Sequence, residues 1–276
     1  MNRGRSISVS RHTEPTRRSL PYRVTNWPSS PESVNKLKTK WTRMEWCDWI
    51  MPLVASRYPN HCAVLLAGSH TRGQATAQSD VDVIIFEASR GQAYRESFIH
   101  DGVPVEAFVH SFETIAHFFE SDRERGRPSL QRMIADSWTI EDHPRLASIH
   151  QEAVQQLADG PIAWTTSEQE RARYFLSDML DDFESVTNRA EGLAIASRLY
   201  EQSIEFVLRA NRRFIGQGKW AIRALAEFDE DYASRHTMAF ELYYQSDDRR
   251  EVVALVDDYL APFGGRYFDG FTLGKR

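Results

Sequence analysis

The apolar runs that we interpret as strands all lie between residues 61 and 141, and this confinement limits the possible folds more than any other feature. The run His61–Ala67 is almost wholly apolar and stops at Gly68-Ser69, as a buried strand that enters a turn would do. In the next run, 81–85, apolar residues alternate with Asp80 and Asp82, which is the period of a strand. These two runs predict the start of a mixed α/β domain.

A two-residue turn separates the next pair of predicted strands. Asp101-Gly102 lies between the apolar segments 97–100 and 103–110, and Asp-Gly in this setting is a strong hairpin signal. Trp138–Glu141 is expected to add another short strand. Together these segments predict a short mixed sheet.

Helices are expected before, within and after this sheet. Ser30-Pro31 places proline at a first helical position, and apolar residues recur at helical spacing over 41–54. A second helix is predicted after Ser111, and a third is predicted within 144–160, where Asp-Gly-Pro would end it. Residues 31–160 are therefore predicted to form one α/β domain.

From residue 161 onward the pattern is helical. Ser167-x-x-Glu170 matches a capping box at the start of a helix. Apolar residues then recur at helical spacing until Gly216-Gln217-Gly218 interrupts them. Further helical stretches run near 220–228, 232–244 and 248–261. Residues 161–276 are therefore predicted to form a C-terminal helical bundle.

The segment that joins the first two strands carries the chemistry. A strand that ends at Gly68-Ser69 and leads into a helix start would expose backbone N–H groups that bind phosphate. Asp80 and Asp82, at i and i+2 on a strand, lie on one face with Cα atoms about 7 Å apart. Two carboxylates that close repel each other unless a cation lies between them. Oxygen ligands alone favour Mg²⁺ or Mn²⁺.

Glu106 is the predicted third member of this group. It interrupts an otherwise apolar strand, 103–109, and faces the side on which Asp80 and Asp82 would lie. Three convergent acids beside a phosphate-binding turn suit in-line phosphoryl transfer with two metal ions.

These residues resemble a known family. Gly68-Ser69-x-x-x-Gly73, Ser79-Asp80-x-Asp82 and Glu106 on a later strand are similar to the signature of the DNA polymerase β-type nucleotidyltransferase superfamily. Its small bacterial members and the aminoglycoside nucleotidyltransferases have the most similar layout, including a C-terminal helical bundle that closes the acceptor cleft. Polymerase members bind nucleic acid through helix-hairpin-helix modules, and we find no such module in this sequence, so a nucleic-acid partner is not expected.

The resemblance implies a two-metal enzyme that moves a nucleoside monophosphate from a nucleoside triphosphate to an acceptor hydroxyl and releases pyrophosphate. AMP, taken from ATP, is the expected group, and Mg²⁺ or Mn²⁺ is the expected cofactor. The implied catalytic and metal-binding residues are Asp80, Asp82 and Glu106. The predicted nucleotide-binding residues are Gly68, Ser69, Arg72, Gly73 and Lys219.

Several of these residues have a second interpretation. Arg72 either contacts phosphate or only covers apolar surface with its stem. Lys219 either neutralises phosphate across a cleft between the two domains or is an ordinary surface lysine. His70 is interpreted as polar filler rather than a ligand. The run Asp181, Asp182 and Glu184 offers a base for the acceptor hydroxyl, although a run of acids is more typical of a solvated helix face.

Charge is unevenly distributed along the chain. Residues 1–40 hold nine Lys and Arg against two acids, whereas the remaining 236 residues hold 25 bases and 37 acids. Residues 1–30 are predicted to be a disordered basic tail, although such a tail can also contact an anionic partner. An acidic body argues against a broad nucleic-acid footprint.

The expected location is the cytoplasm, without a membrane partner. No run approaches the ~18 apolar residues that span a bilayer, and no apolar stretch of a secretory signal follows the N-terminal arginines. Cys47 and Cys62 fit no metal-ligand pattern and suit a reducing compartment.

The acceptor is left open between a small hydroxylated molecule, such as an aminoglycoside, and a protein side chain. The sequence does not specify an oligomeric state. The alternative function is a non-catalytic, antitoxin-like or regulatory binding protein that retains the nucleotidyltransferase fold. A degenerate scaffold has no reason to keep three mutually repelling acids, so we favour the enzyme.

Overall fold

The structure is a computed structural model that describes residues 41–89 and 91–274. The predicted tail 1–30 and the predicted helix start at Ser30-Pro31 lie outside these residues. We refer below to residues 41–160 as the α/β half and to residues 161–274 as the bundle. The boundary itself, at 160/161, stays a prediction.

The strands of the α/β half form one mixed sheet. In the described part of the chain its order is β3-β4-β2-β1-β5. The bounds are β1 His61–Ala67, β2 Val81–Glu87, β3 Tyr94–His100, β4 Val103–His110 and β5 Trp138–Glu141. Strands β2 and β4 are parallel, and the other neighbours are antiparallel. The predicted fold class, a mixed α/β domain followed by a helical bundle, is confirmed.

The predicted hairpin joins β3 to β4. Asp101 and Gly102 have φ angles of 48° and 80°, and two positive φ values in succession match the twist of a two-residue hairpin. Strand β3 begins at Tyr94, three residues before the predicted start, because pairing with β4 continues as far as Tyr94 opposite Val109.

Four helices of the described residues accompany the sheet. They are α1 Arg43–Arg57, α2 Phe112–Arg125, α3 Ser129–Ala135 and α4 Leu146–Asp159. The Ser111 side chain accepts a hydrogen bond from the Thr114 backbone N–H and so caps α2 where the sequence predicted a helix start. Gly160 ends α4 with a φ of 81°, as the Asp-Gly-Pro signal indicated.

The described secondary structure of the bundle is helical. Its described helices are α5 Thr166–Ser185, α6 Arg189–Ala210, α7 Lys219–Phe228, α8 Glu230–Ser246 and α9 Arg250–Leu260. The capping box at the start of α5 is formed by Thr165 and Glu168, so the prediction of Ser167 and Glu170 was wrong. Both pairs match the capping-box pattern. Because Trp164 packs against the bundle core, the next residue, Thr165, becomes the cap of the helix.

Buried side chains fall into three clusters. Alternate residues of β1, β2 and β4 pack under α1 on one sheet face, and the intervening residues pack under α2, α3 and α4 on the other. The third cluster lies within the bundle, from Leu176 to Leu260. Among the described residues, no helix has the length and apolar character needed to cross a membrane.

The loop between α2 and α3 fastens the bundle to the α/β half. The Ile215 N–H donates to the Gly126 carbonyl at 2.8 Å, and the Ile162 N–H donates to the Arg123 carbonyl at 3.1 Å. Gly126 has a φ of 70°, and a Cβ built on it would lie 1.8 Å from Nη1 of Arg209. That guanidinium is buried and bonds the Ile162 carbonyl at 3.0 Å. Only glycine fits this close approach.

We predict that Gly126→Ala lowers the free energy of unfolding by about 2–4 kcal/mol, because a left-handed φ is strained for alanine and the new methyl group must displace Arg209. Gly270→Ala is the matched control, since Gly270 has a φ of +86° with no atom within 4 Å of a built Cβ. Urea unfolding of both variants measures the difference. Equal losses would show that the contact with Arg209 contributes nothing.

Candidate active site

The three predicted acids meet at one end of the sheet. Strands β2 and β4 run parallel with Asp82 directly opposite Glu106, so both carboxylates project from the same face. Asp80 lies immediately before β2 rather than inside it. One carboxylate oxygen from each of the three residues lies within 4.8 Å of the others, and all three side chains are half-buried. The predicted convergence of these acids is confirmed.

The surroundings of the three acids make ionisation of the Asp82 carboxyl unfavourable. Burial raises the pKa of its carboxyl to about 7, and the charges of Asp80 and Glu106 add to the rise, while Arg72 and Arg95 oppose it. Such a carboxyl is neutralised either by a proton or by a cation beside it, and a cation bound to the three acids would favour its ionised form. Three oxygen donors in such a cluster fit Mg²⁺ or Mn²⁺, so the residues present fit the expected metal.

Arg95 supplies part of the missing positive charge. It lies on the neighbouring strand β3, and its guanidinium forms an ion pair with Glu106. The same guanidinium lies 5.1 Å from the centre of the Phe108 ring. Just over half of the Arg95 side chain is exposed, so solvent screens the pair and the charge on Asp82 remains poorly compensated.

Gly68 makes room for the Asp82 carboxylate. Its φ is +78°, and a Cβ built on it would lie 1.8 Å from Oδ2 of Asp82. Any other residue would push either the turn or the carboxylate out of place. The Gly-Ser turn therefore has a steric role that the sequence interpretation, which assigned it to phosphate, did not include.

The turn after Gly68 does not lead into a helix, so that expectation was wrong. Residues 68–73 form consecutive turns, with the Gln74 N–H bonded to the Ser69 carbonyl at 2.9 Å. The segment between β1 and β2 must reverse the direction of the chain, because Ala67 pairs with Asp82 in an antiparallel ladder. A helix would carry the chain away from that partner. Ser69 is half-buried in this turn, and Gly73 is exposed in it.

A cleft of about 360 Å³ opens beside the acids, between the α/β half and the bundle. It is lined from the α/β half by Gly68, Arg72, Asp82, Arg127, Pro128, Ser129, Arg132 and Met133, and from the bundle by Ile215, Gly216, Gln217, Trp220, Ala224 and Glu227. Asp82 thus contributes to both the acidic group and the wall of the cleft.

Arg72 lines this cleft and also contacts the bundle. Its guanidinium lies 5.0 Å from the centre of the Trp220 ring and 3.5 Å from the Asp136 carboxylate. Arg223 lies 4.8 Å from the same ring and donates to the Gln74 side chain at 3.3 Å. The contact with Trp220 is made by the guanidinium rather than by the stem of Arg72, and a role for Arg72 in phosphate binding stays a prediction.

Lys219 has a different position. It is the first residue of α7 and is exposed, and it is not among the residues that line the cleft. The neighbouring Trp220 does line it. A role for Lys219 in nucleotide binding stays a prediction.

The acids considered as a base for the acceptor lie elsewhere. Asp181 and Glu184 both form ion pairs with Arg266, and Asp182 lines a separate groove between α5 and α6. His70 is buried edge-on against Trp46, with ring centres 4.9 Å apart, and burial lowers its pKa. The interpretation of His70 as polar filler agrees with this packing.

Sequence reasoning missed the cations on the α/β wall of the cleft. Arg127 and Arg132 flank the start of α3, and Arg132 forms an ion pair with Glu227 from α7. Their sequence neighbours match no motif, and Glu227 is 95 residues away from Arg132. The Gly126 helix stop was the one local signal of a special loop at this point.

Comparison with known proteins adds little to this geometry. No protein-family model matches the chain, and no curated protein matches it. A solved structure of a nucleotidyltransferase-like protein from Exiguobacterium sibiricum is similar at 9% identity and a TM-score of 0.43, over 79% of this chain and 75% of that one. Likeness at this level supports no inference about function.

We predict that Gly68→Ala weakens Mn²⁺ binding by about 10–100-fold, because the added methyl group displaces an acid that holds the ion. Gly73→Ala is the control, since Gly73 has a φ of +66° but no atom within 4 Å of a built Cβ. Mn²⁺ titration followed by electron paramagnetic resonance measures both affinities. Equal affinities for the two variants would contradict the steric role of Gly68.

We also predict that, without divalent metal, Asp82→Asn is more stable than the wild type at pH 8. The folded-state pKa of about 7 lies above the ordinary value, so ionised Asp82 destabilises the fold increasingly as the pH rises from about 4 to 7, by on the order of 1–4 kcal/mol. The gain should therefore disappear near pH 4. Thermal unfolding of both proteins in EDTA measures the gain in stability of the variant. When Mg²⁺ is then added, only the wild type should be stabilised. A less stable variant at pH 8 would contradict the repulsion.

Proposed function

We propose that the protein is a nucleotidyltransferase that moves AMP from ATP to the hydroxyl group of an acceptor and releases pyrophosphate. The observation that carries this proposal is the convergence of Asp80, Asp82 and Glu106 within 4.8 Å, with Asp82 in the wall of a cleft that is also lined by arginines. Acids that hold metal ions beside cations that hold phosphate are the combination that phosphoryl transfer requires.

The charges in the cleft support a nucleotide rather than an uncharged substrate. Arg72, Arg127 and Arg132 line it on the α/β side, against the two acids Asp82 and Glu227. A triphosphate bound between these arginines would lie next to the acidic group. Bound Mg²⁺ or Mn²⁺ would remove the repulsion between that group and the phosphates.

Each residue has a defined part in the proposed reaction. The three acids would hold the metal ions, which supply charge neutralisation at phosphorus and a lower pKa for the attacking hydroxyl. The acceptor oxygen would form a bond to the α-phosphorus while the bond from that phosphorus to the oxygen shared with the β-phosphate breaks. Pyrophosphate would leave with that oxygen and its electron pair, and the hydroxyl proton would pass to water. Gly68 keeps the Asp82 carboxylate in position, and Arg72 faces the phosphates. Ser69, Gly73 and Lys219 are proposed as further nucleotide contacts.

The proposed acceptor is a small molecule or a protein that reaches the cleft from the bundle side. The excess of acids over bases in residues 41–276 favours a cationic acceptor such as an aminoglycoside over a nucleic acid. We propose that the reaction takes place in the cytoplasm, where ATP and Mg²⁺ are present.

We predict that label from the α-phosphate of ATP moves to an acceptor in the presence of Mg²⁺, while label from the γ-phosphate appears in pyrophosphate. Asp80→Asn should reduce this transfer by about 100-fold or more, because the metal ions lose a shared ligand. Chromatography of reactions with a panel of aminoglycosides and candidate proteins identifies the labelled acceptor.

The control is Asp258→Asn, which removes a carboxylate from an ion pair with Arg235 on the bundle surface. Its transfer rate should equal that of the wild type. Full transfer by a folded Asp80→Asn protein would overturn the proposed mechanism. Binding of ATP without transfer to any acceptor would instead support the non-catalytic binding protein.

A further inference from the structure

We propose that Arg127 and Arg132 form an anion subsite in the cleft, which holds the pyrophosphate part of the triphosphate after it displaces Glu227 from Arg132. The identity of the anion rests on the proposed function. The existence of the subsite rests on the contacts of these three side chains.

The backbone that carries Arg127 is fixed from both halves of the molecule. Gly126 bonds Ile215 of the bundle through its carbonyl at 2.8 Å, and the Arg127 N–H donates to the Asp122 carbonyl at 2.8 Å. Asp122 is itself buried, and its carboxylate accepts from the Leu130 N–H at 2.9 Å. The constrained backbone fixes the point from which the Arg127 side chain enters the cleft.

Arg127 differs from its neighbours in having no acidic partner. Within the described residues, Arg125 pairs with Asp122 and Arg123 pairs with Glu120, whereas Arg127 forms no ion pair. Its side chain is half-buried and lines the cleft. A half-buried guanidinium that faces a cleft without a counter-ion attracts an anion.

Arg132 provides the second cation, and its guanidinium is paired with the Glu227 carboxylate, which would compete with a bound anion. Its Nη1 lies 2.8 Å from Oε1 of Glu227, and Nη2 contacts the other oxygen of the same carboxylate. This two-point contact crosses the cleft from α3 to α7, and both side chains line it. A phosphate group accepts the same fork of N–H donors as a carboxylate does, so an incoming anion can replace Glu227.

Pyrophosphate suits this pair of cations. Its two phosphoryl groups offer one acceptor to each guanidinium, and it carries more negative charge than orthophosphate. Asp82 and Gly68 line the same cleft, so the subsite lies in the same cavity as the acids. The α-phosphate of a bound triphosphate would then extend toward those acids.

The test is calorimetric titration of inorganic pyrophosphate into the full-length protein in EDTA, where the acids cannot hold a metal ion. The wild type should bind pyrophosphate more tightly than orthophosphate. Arg127→Gln should weaken pyrophosphate binding by about tenfold or more, because a charge-assisted contact is lost. Glu227→Gln should tighten it by about threefold or more, because the competing carboxylate is gone.

The matched control is Arg198→Gln. Arg198 is exposed on α6, lines the separate groove and forms no ion pair among the described residues. The Arg198→Gln variant should bind pyrophosphate as the wild type does. Unfolding temperatures equal to that of the wild type should show that each variant is folded. Asp80→Asn should lose most of the proposed transfer but should retain pyrophosphate binding. A failure of the subsite can therefore be distinguished from a failure of the proposed function.

No pyrophosphate binding by the wild type, or unchanged binding by Arg127→Gln, would overturn the subsite. Weaker or unchanged binding by Glu227→Gln would overturn the displacement of Glu227. A loss in Arg198→Gln equal to that in Arg127→Gln would reduce the effect to general charge, and would also overturn the subsite.

Discussion

Repulsion among three carboxylates held within 4.8 Å is the constraint on which the arrangement of this molecule depends. The backbones of Asp82 and Glu106 cannot move apart, because these residues lie opposite each other in a parallel ladder whose apolar neighbours are fully buried. The free energy that keeps them together comes from the sheet and its two packed faces. The sheet therefore stores an electrostatic penalty that a bound cation can relieve.

The arginines around the three acids differ in the contacts that hold their guanidinium groups. Arg95 pairs with Glu106 from the neighbouring strand β3. Arg72 lies between the acids and the bundle, with its guanidinium over Trp220. Arg132 is engaged with Glu227 across the cleft, and Arg127 has no acidic partner among the described residues. Charge is thus most available in the cleft, where an anionic ligand would enter.

The sequence predicted the features that depend on local periodicity. Alternation around Glu106 and Asp82 placed both side chains on one sheet face, and Asp101-Gly102 located the hairpin, because strand period and turn conformation are encoded by adjacent residues. The convergence of the acids needed one further assumption, that β2 and β4 are neighbours. The periodicity of the two strands does not encode that assumption.

The features that the sequence did not predict depend on partners far away in the chain. Thr165 and Ser167 compete equally for the helix start until the burial of Trp164 decides between them. The turn after Gly68 cannot become a helix because Ala67 must pair with Asp82. The cleft wall joins Arg132 to Glu227, 95 residues apart, and no local pattern records such a contact. Tertiary context outweighs local propensity in each case.

The edge strand β3 has a consequence for how the protein behaves at high concentration. An edge strand offers unpaired backbone groups to other molecules, and charged side chains or a covering element prevent such association. Here Glu96 of β3 accepts hydrogen bonds from Arg57 and from the Tyr58 hydroxyl, at 2.8 and 2.6 Å, while Arg95 and His100 add charge or polarity along the strand. At the opposite edge, β5 is four residues long. Both edges of the sheet, as far as the structure describes it, therefore carry features that disfavour the addition of a strand from another molecule.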